Sequence, residues 1–312
     1  MNGYAIRTTH LTRDFAAIRA VNDVSLEVES GTVFGFLGPN GAGKTTTIRL
    51  LLGLLEPSAG SAEVLGYDTR RNPDEIRRRS GALLEHHRLY ERLSAYDNLE
   101  FYGRVWHMPK AERRVRIKEL LTDLKLWDRR DENAGNWSRG MKQKLAVART
   151  LLHRPKLIFL DEPTAGLDPV AAAALRDDLA GLARSQGVTI FLTTHNLTEA
   201  EKLCQRVGVI RQGKLVALGS PDDLRNNHGK PRVEISGRGF SESALGALRS
   251  RPEVADIRHE NGKLSIALTQ AASSAPIIKL LVESGAEIEE VRKGSADLEQ
   301  AFLSLLEEEK TP

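Results

Sequence analysis

Apolar and polar residues alternate in short runs across residues 4–37, as in Val24-Ser25-Leu26-Glu27-Val28. This period of two predicts antiparallel strands. Val33 to Leu37 is apolar throughout and predicts a strand buried on both faces. A helical pattern follows from Thr46 to Leu52, then turns at Pro57, Gly60 and Gly66 and a basic helix from Ile76 to Arg79. From Tyr90 to Asp131 the spacing of Leu99, Tyr102, Val105 and Trp106, and then of Val115, Ile117, Leu120, Leu121 and Leu124, predicts amphipathic helices inserted into an α/β pattern. A polar turn, Asn136 to Lys144, enters a helix at Leu145 to Leu152, with Ser138 placed to cap it. Leu157 to Leu160 and Val188 to Thr194 read as two further buried strands around a helix from Val170 to Ala183. Arg206 to Arg211 then pairs with Lys214 to Leu218 across Gln212-Gly213.

Past Pro221 and the polar stretch Arg225 to Gly229 the pattern changes. Strands are expected at Val233 to Ile235, Val254 to His259, Leu264 to Leu268 and Ile288 to Val291, with helices at Glu242 to Leu248 and Ile277 to Ser284. The order βαββαβ predicts a small ferredoxin-like α+β module. A last helix, Leu298 to Leu306, would put Leu298, Phe302 and Leu305/Leu306 on one face. Two domains are therefore expected, residues 1–228 with a helical subdomain at about 86–137, and residues 229–312.

Composition narrows the class. There are 45 basic and 42 acidic residues, a net charge of +3, and 5% aromatics, so nucleic-acid binding is not expected. Residues 230–312 hold 11 Lys and Arg against 14 Asp and Glu, which leaves the small positive excess in the N-terminal part. Cys204 is the only cysteine, so no intrachain disulfide can form. Met1 to Phe15 contains no apolar signal region, and no stretch approaches the ~18 apolar residues of a membrane span. The chain is expected to be water-soluble, with any membrane role exercised through a partner.

Candidate chemistry is concentrated in a few stretches. Gly38-Pro39-Asn40-Gly41-Ala42-Gly43-Lys44-Thr45-Thr46 fits the phosphate-binding pattern G-x-x-x-x-G-K-[ST], in the strand–loop–helix context that the pattern requires. Its glycines turn backbone N–H groups toward one centre, and the helix that follows adds its positive end. Lys44 would reach the β- and γ-phosphates and the Thr45 hydroxyl would ligate Mg²⁺. Asp161 and Glu162 stand at the C-terminal end of a buried strand, where α/β proteins bind ligands. Asp161 would hold Mg²⁺, and Glu162 would orient and activate the attacking water. His195 follows the next strand and is a candidate for contacting the γ-phosphate, while Phe15 could stack on a base or fill the core. Ser138 and Gly140 open a helix, a second anion site or simply a cap.

In their order and spacing these residues resemble the ATP-binding subunits of ABC transporters over roughly residues 4–225. Gly38 to Thr46 resembles the Walker A loop, Leu157 to Glu162 Walker B, Ala165 to Asp168 the D-loop, His195 the switch histidine and Phe15 the A-loop aromatic that stacks on adenine. Trp137 to Met141 resembles the signature LSGGQ but keeps only Ser138 and Gly140. The Q-loop position reads Glu85 in place of glutamine and would keep an oxygen for Mg²⁺ while adding negative charge beside a triphosphate. These departures, with Leu89 to Leu99 as the region facing a membrane subunit, are similar to the daunorubicin-resistance branch of exporters. The resemblance implies an ABC-type P-loop fold with an antiparallel β subdomain and a helical insertion, and Mg-ATP hydrolysis. It also implies a separate polytopic permease, a cytoplasmic position on the inner face of the membrane and two-fold pairing with a second nucleotide domain, most simply a second copy. An importer subunit regulated by its C-terminal domain is an alternative reading. A soluble ATPase acting on ribosomes or DNA is another.

Overall fold

The computed structural model describes residues 3–84, 89–228, 232–260, 262–269, 273–294 and 302. The expected Q-loop residue Glu85, the polar turn at His86-His87 and the helix expected at Leu298 to Leu306, Phe302 apart, lie outside them. The chain divides into two compact units, Met1–Ser220 and Pro221–Pro312.

The first unit begins with a long hairpin, β1 (Tyr4–Phe15) and β2 (Ile18–Glu29), in which Val24, Leu26 and Val28 are buried between outward-facing polar residues. β3 (Val33–Leu37) follows, buried along its whole length, and leads through the glycine loop into α1 (Lys44–Leu51). β4 (Ala59–Val64) and β5 (Tyr67–Asp68) extend the hairpin into an antiparallel sheet of order β2-β1-β4-β5. α2 (Pro73–Arg79) and β6 (Ser80–Leu83) precede the helical insertion, α3 (Ala95–Val105) and α4 (Lys110–Asp123). These two helices are tied by the Arg113 guanidinium, which donates to both carboxylate oxygens of Glu100 at 2.6 and 2.7 Å.

α5 (Arg139–Leu151) returns the chain to the sheet. It starts six residues before the apolar pattern does, because Ser138 caps it at that point. β7 (Leu157–Asp161), α6 (Pro169–Gln186), β8 (Thr189–Thr194), α7 (Leu197–Leu203), β9 (Arg206–Arg211) and β10 (Lys214–Gly219) complete the unit. The main sheet has the order β10-β9-β3-β8-β7-β6, parallel except for the β9–β10 pair. β3, β7 and β8 are buried on both faces, which is why their sequences do not alternate. Phe191 lies among Phe34, Phe36 and Phe159, with ring centroids 5.4–5.7 Å apart, and fixes the centre of the sheet.

The second unit opens on α8 (Pro221–His228) and continues as β11 (Arg232–Arg238), α9 (Glu242–Arg249), β12 (Val254–Glu260), β13 (Lys263–Leu268), α10 (Ala275–Glu283) and β14 (Glu287–Gly294). The sheet is antiparallel with order β12-β13-β11-β14, the ferredoxin-like arrangement expected from the pattern. Leu245 and Leu248 of α9 and Ile277 and Leu281 of α10 share a core with Val233, Ile235, Leu264 and Ile266.

Candidate active site

The glycine loop leaves the C-terminal end of β3 and is pressed against two neighbouring strands. A Cβ at Gly38 would stand 2.4 Å from the carbonyl oxygen of Ile210, and one at Gly43 2.4 Å from that of Ala20. Gly43 also has φ of 110°, outside the range other residues tolerate. The first turn of α1 has no side-chain cap, so its N–H groups are directed to whatever the loop encloses. Lys44 is almost completely buried and its Nζ donates to the carbonyls of Gly38 at 2.7 Å and Pro39 at 3.2 Å.

The two carboxylates occupy different environments. Asp161 is buried at the end of β7, and both its oxygens are held by hydroxyls: Thr45 Oγ1 donates to Oδ2 at 2.7 Å and Thr193 Oγ1 to Oδ1 at 2.5 Å. Glu162 turns out of the strand with φ of 50°, a left-handed conformation uncommon for a residue with a side chain. Its N–H is fixed by Thr193, to O and Oγ1, both at 3.1 Å. Its Oε1 lies 3.1 Å from Lys44 Nζ, and its Oε2 accepts from His195 Nδ1 at 2.8 Å. Cation, carboxylate and imidazole thus form a continuous chain beside the glycine loop.

An open cleft of about 920 Å³ is lined by Asn40, Lys44, Thr45 and Thr46 on one side and Asp161 and Glu162 on another, with His195 beside Glu162. Thr45 and Asp161 offer paired hard oxygens, the donor type Mg²⁺ selects when phosphates supply its remaining ligands. Among the described residues no cluster of three His, Cys, Asp or Glu could hold a metal unaided. The Thr45 and Asp161 oxygens fit a metal that arrives with a phosphate ligand.

The structure brings Gly38 to Thr46, Asp161, Glu162 and His195 together. It does not bring Phe15, Ser138, Gly140 or Asp168 to the lining of this cleft. Phe15 stands next to the β1–β2 turn, partly exposed, with the Arg13 guanidinium 4.6 Å from its ring centre. Ser138 caps α5 by accepting the Met141 N–H at 3.3 Å, and Asp168 caps α6 by accepting that of Ala171 at 2.9 Å. Gly140 packs so closely on α6 that a Cβ there would lie 2.9 Å from Ala171 Cβ.

Four residues with no evident role in the sequence belong to this region. Thr193 holds Asp161 and the Glu162 backbone at once. Arg139 and Gln143, one turn apart on α5, line the cleft and donate to the carbonyls of Gly166 at 2.8 Å and Pro163 at 2.7 Å, clamping the segment that follows Glu162. Glu199 is buried on α7 and accepts the hydroxyls of Thr194 at 2.7 Å and Thr164 at 3.0 Å, bridging the residue before His195 and the residue two past Glu162. A buried strand ending in two threonines was the one readable signal, since their hydroxyls need partners.

Burial raises the pKa of Glu199 above its ordinary value of 4.5. The folded protein then binds this proton more tightly than the unfolded chain. Glu199 contributes stability below pH 4.5, and this is lost as the pH rises through its raised folded value. Glu199→Gln keeps an acceptor for both threonines and removes the ionisation. Its melting temperature should exceed that of the wild type at pH 8 and match it near pH 4.5; an equal difference at both pH values would exclude this origin.

Known relatives match nearly the whole chain, while the family model and the solved structures match its first part or most of it. The family model described as ABC transporter matches residues 21–165. A bacitracin transport ATP-binding protein from Bacillus licheniformis is 34% identical over 303 residues, covering 96% of this chain and 97% of its own. A daunorubicin resistance ATP-binding protein from Streptomyces coeruleorubidus is 34% identical over 317 residues, covering 98% of this chain and 96% of its own. Among solved structures, cbiO1 from Clostridium perfringens, part of the ABC transporter complex cbiONQ, superposes with a TM-score of 0.69 at 26% identity, over 73% of this chain and 93% of that one. An ATP-binding subunit of an ABC transporter superposes with a TM-score of 0.64 at 32% identity, over 72% of this chain and 93% of that one.

Proposed function

The chain belongs to the ATP-binding subunits of ABC transporters, ATPases whose hydrolysis is coupled to transport, and from that premise we propose that it drives export through a separate membrane protein. The observation that carries the proposal is similarity extending through the C-terminal unit to proteins named for bacitracin transport and daunorubicin resistance. No helix among the described residues is long and apolar enough to cross a membrane, so passage of the cargo falls to another chain. The chain would sit peripherally on the cytoplasmic face of the membrane, with residues 1–228 as the ATP-binding domain and 229–312 as an accessory domain.

The geometry supports the following mechanism. The N–H groups of the Gly38 to Thr46 loop and the Lys44 ammonium hold the β- and γ-phosphates. Phe15 stands beside the β1–β2 turn outside the cleft lining, and its adenine-stacking role rests on the resemblance to the A-loop aromatic alone. Thr45 and Asp161 would hold Mg²⁺, which when bound would neutralise charge on the phosphates. Glu162 accepts the proton of a water as that water's oxygen attacks the γ-phosphorus, and the bond to ADP breaks to give ADP and phosphate. His195 steadies Glu162 and, by its resemblance to the switch histidine, would contact the γ-phosphate. Ser138, Gly140 and Asp168 do not line their own cleft, which leaves them for the nucleotide of a second domain, in a two-fold pair of identical chains. Loss of the bridging γ-phosphate then reopens the pair, and this difference in affinity drives the membrane protein between two states.

A groove of about 610 Å³ beside α1, β6, α3 and α5 is lined by exposed Leu54 and Trp106, with Tyr102, and suits a helical segment of the permease. The tagged chain, drawn from its native membranes in mild detergent, should bring with it a polytopic membrane protein. Leu54→Glu should lose that partner and keep basal ATP hydrolysis, because Leu54 is 51% exposed and lies outside the phosphate cleft. A soluble substrate-binding protein in the complex would move the reading to import, and ribosomal or DNA-repair proteins alone would end the transport reading.

A further inference from the structure

We infer that the open face of the C-terminal sheet is a self-association surface on which a second copy of this chain docks, independently of nucleotide. One face of the sheet carries the core shared with α9 and α10. The alternate residues line a concavity of about 640 Å³ on the other.

Strand register arranges these residues in two rows across the sheet. Arg258, Ser265, Glu234 and Arg292 are successive neighbours on β12, β13, β11 and β14. Two residues further along come Glu260, Lys263, Ser236 and Glu290. Three cations and three anions share the face, so it has no net charge to attract a nucleic acid or an anionic membrane. Their order, however, is complementary to itself. A two-fold axis running between the rows, across the strands, sets each row over the other row of the second copy. Arg258 then faces Glu260 of the second copy, and Arg292 faces Glu290 of the second copy. Packed sheets are ~10 Å apart, a gap that opposed Arg and Glu side chains can span.

Two details favour this occupant. Ser265 Oγ is buried and has no hydrogen-bond partner among the described residues. The same axis places Lys263 of the second copy over it, supplying a donor. Arg292 already donates to Glu290 on its own strand at 2.8 Å, and Arg258 lies 3.4 Å from Asp256, so docking extends existing pairs into alternating clusters without stripping a lone charge of its partner. Exposed pairs are individually weak, and the association is correspondingly modest and salt-sensitive. Two chains held on one membrane partner would be favoured by their high effective concentration.

The experiment is sedimentation equilibrium of the full chain without nucleotide, at about 0.1 M and about 1 M salt, between which the Debye length falls from ~10 to ~3 Å. Self-association is expected at the lower salt and should weaken at the higher. Arg292→Glu and Glu290→Arg each oppose like charges across the axis and should weaken association at least about tenfold. An equimolar mixture of the two variants restores every pair, as does the double variant, and both should recover the wild-type constant. Both side chains are more than half exposed, so neither change disturbs the fold. A wild-type chain that stays monomeric at about 100 µM in low salt, single variants that associate unchanged, or a mixture that fails to recover would each overturn the inference. None of these readings depends on ATP-driven closure, which is measured separately with a hydrolysis-deficient variant in Mg-ATP.

Discussion

Lys44→Ala should lower ATP turnover by roughly 10²–10³-fold, equivalent to about 3–4 kcal/mol of transition-state stabilisation, and should weaken nucleotide binding as well. The Lys44 ammonium is almost wholly buried and is held by two loop carbonyls and by Glu162 Oε1. Its removal leaves those three acceptors directed at an incoming triphosphate with no cation between them. Repulsion in the ground state then adds to the lost stabilisation of charge developing on the γ-phosphate. Lys44→Arg keeps the charge but replaces a compact ammonium with a planar fork, so it should recover binding better than turnover. Steady-state hydrolysis combined with a fluorescent-nucleotide titration separates the two effects. A Lys44→Ala protein with binding and turnover within about twofold of wild type would remove Lys44 from the catalytic role assigned to it.

Glu162→Gln should act on a different step. Glutamine has the same size and can still accept the His195 N–H, so the loop geometry survives. It cannot take a proton from the attacking water, and turnover should fall by about 10²–10⁴-fold while ATP binding persists. The variant also removes a negative charge 3.1 Å from Lys44 Nζ, leaving that cation fully available to phosphate. It should accumulate as a dimer in saturating Mg-ATP, measured by light scattering after size exclusion. A protein that binds Mg-ATP tightly but remains monomeric would defeat the closed-pair mechanism while leaving the role of Glu162 in hydrolysis intact.

The chemistry-bearing part of the first unit was legible because phosphate binding imposes a local pattern. Three glycines, a lysine and a threonine must be adjacent in sequence to form one loop, so Gly38 to Thr45 announces itself. Asp161-Glu162 was readable for a related reason, since a carboxylate pair ending an apolar run is costly without a ligand. The βαββαβ order was likewise carried by local periodicity and turns. β4, β5 and β6 were not legible. Ser80-Gly81-Ala82-Leu83 has neither alternation nor β-branched residues, and it becomes a strand because β7 pairs beside it and the Thr150 carbonyl packs against Gly81.

The amino-acid sequence by itself thus determined the fold class, the glycine loop between a buried strand and a helix, and the carboxylate pair at the end of a later buried strand. Each of these depends on residues near one another in the chain. Only the tertiary structure decided that Thr193 holds Asp161, that Glu162 is shared between Lys44 and His195, and that Arg139 and Gln143 clamp the segment after Glu162. It also decided that Glu199 is buried between two threonines and that the charged residues of four strands fall into two complementary rows. These arrangements join residues tens of positions apart, or depend on strand register and on burial. Such properties arise from packing, where a hydroxyl or a charge takes its role from whatever the fold sets opposite it.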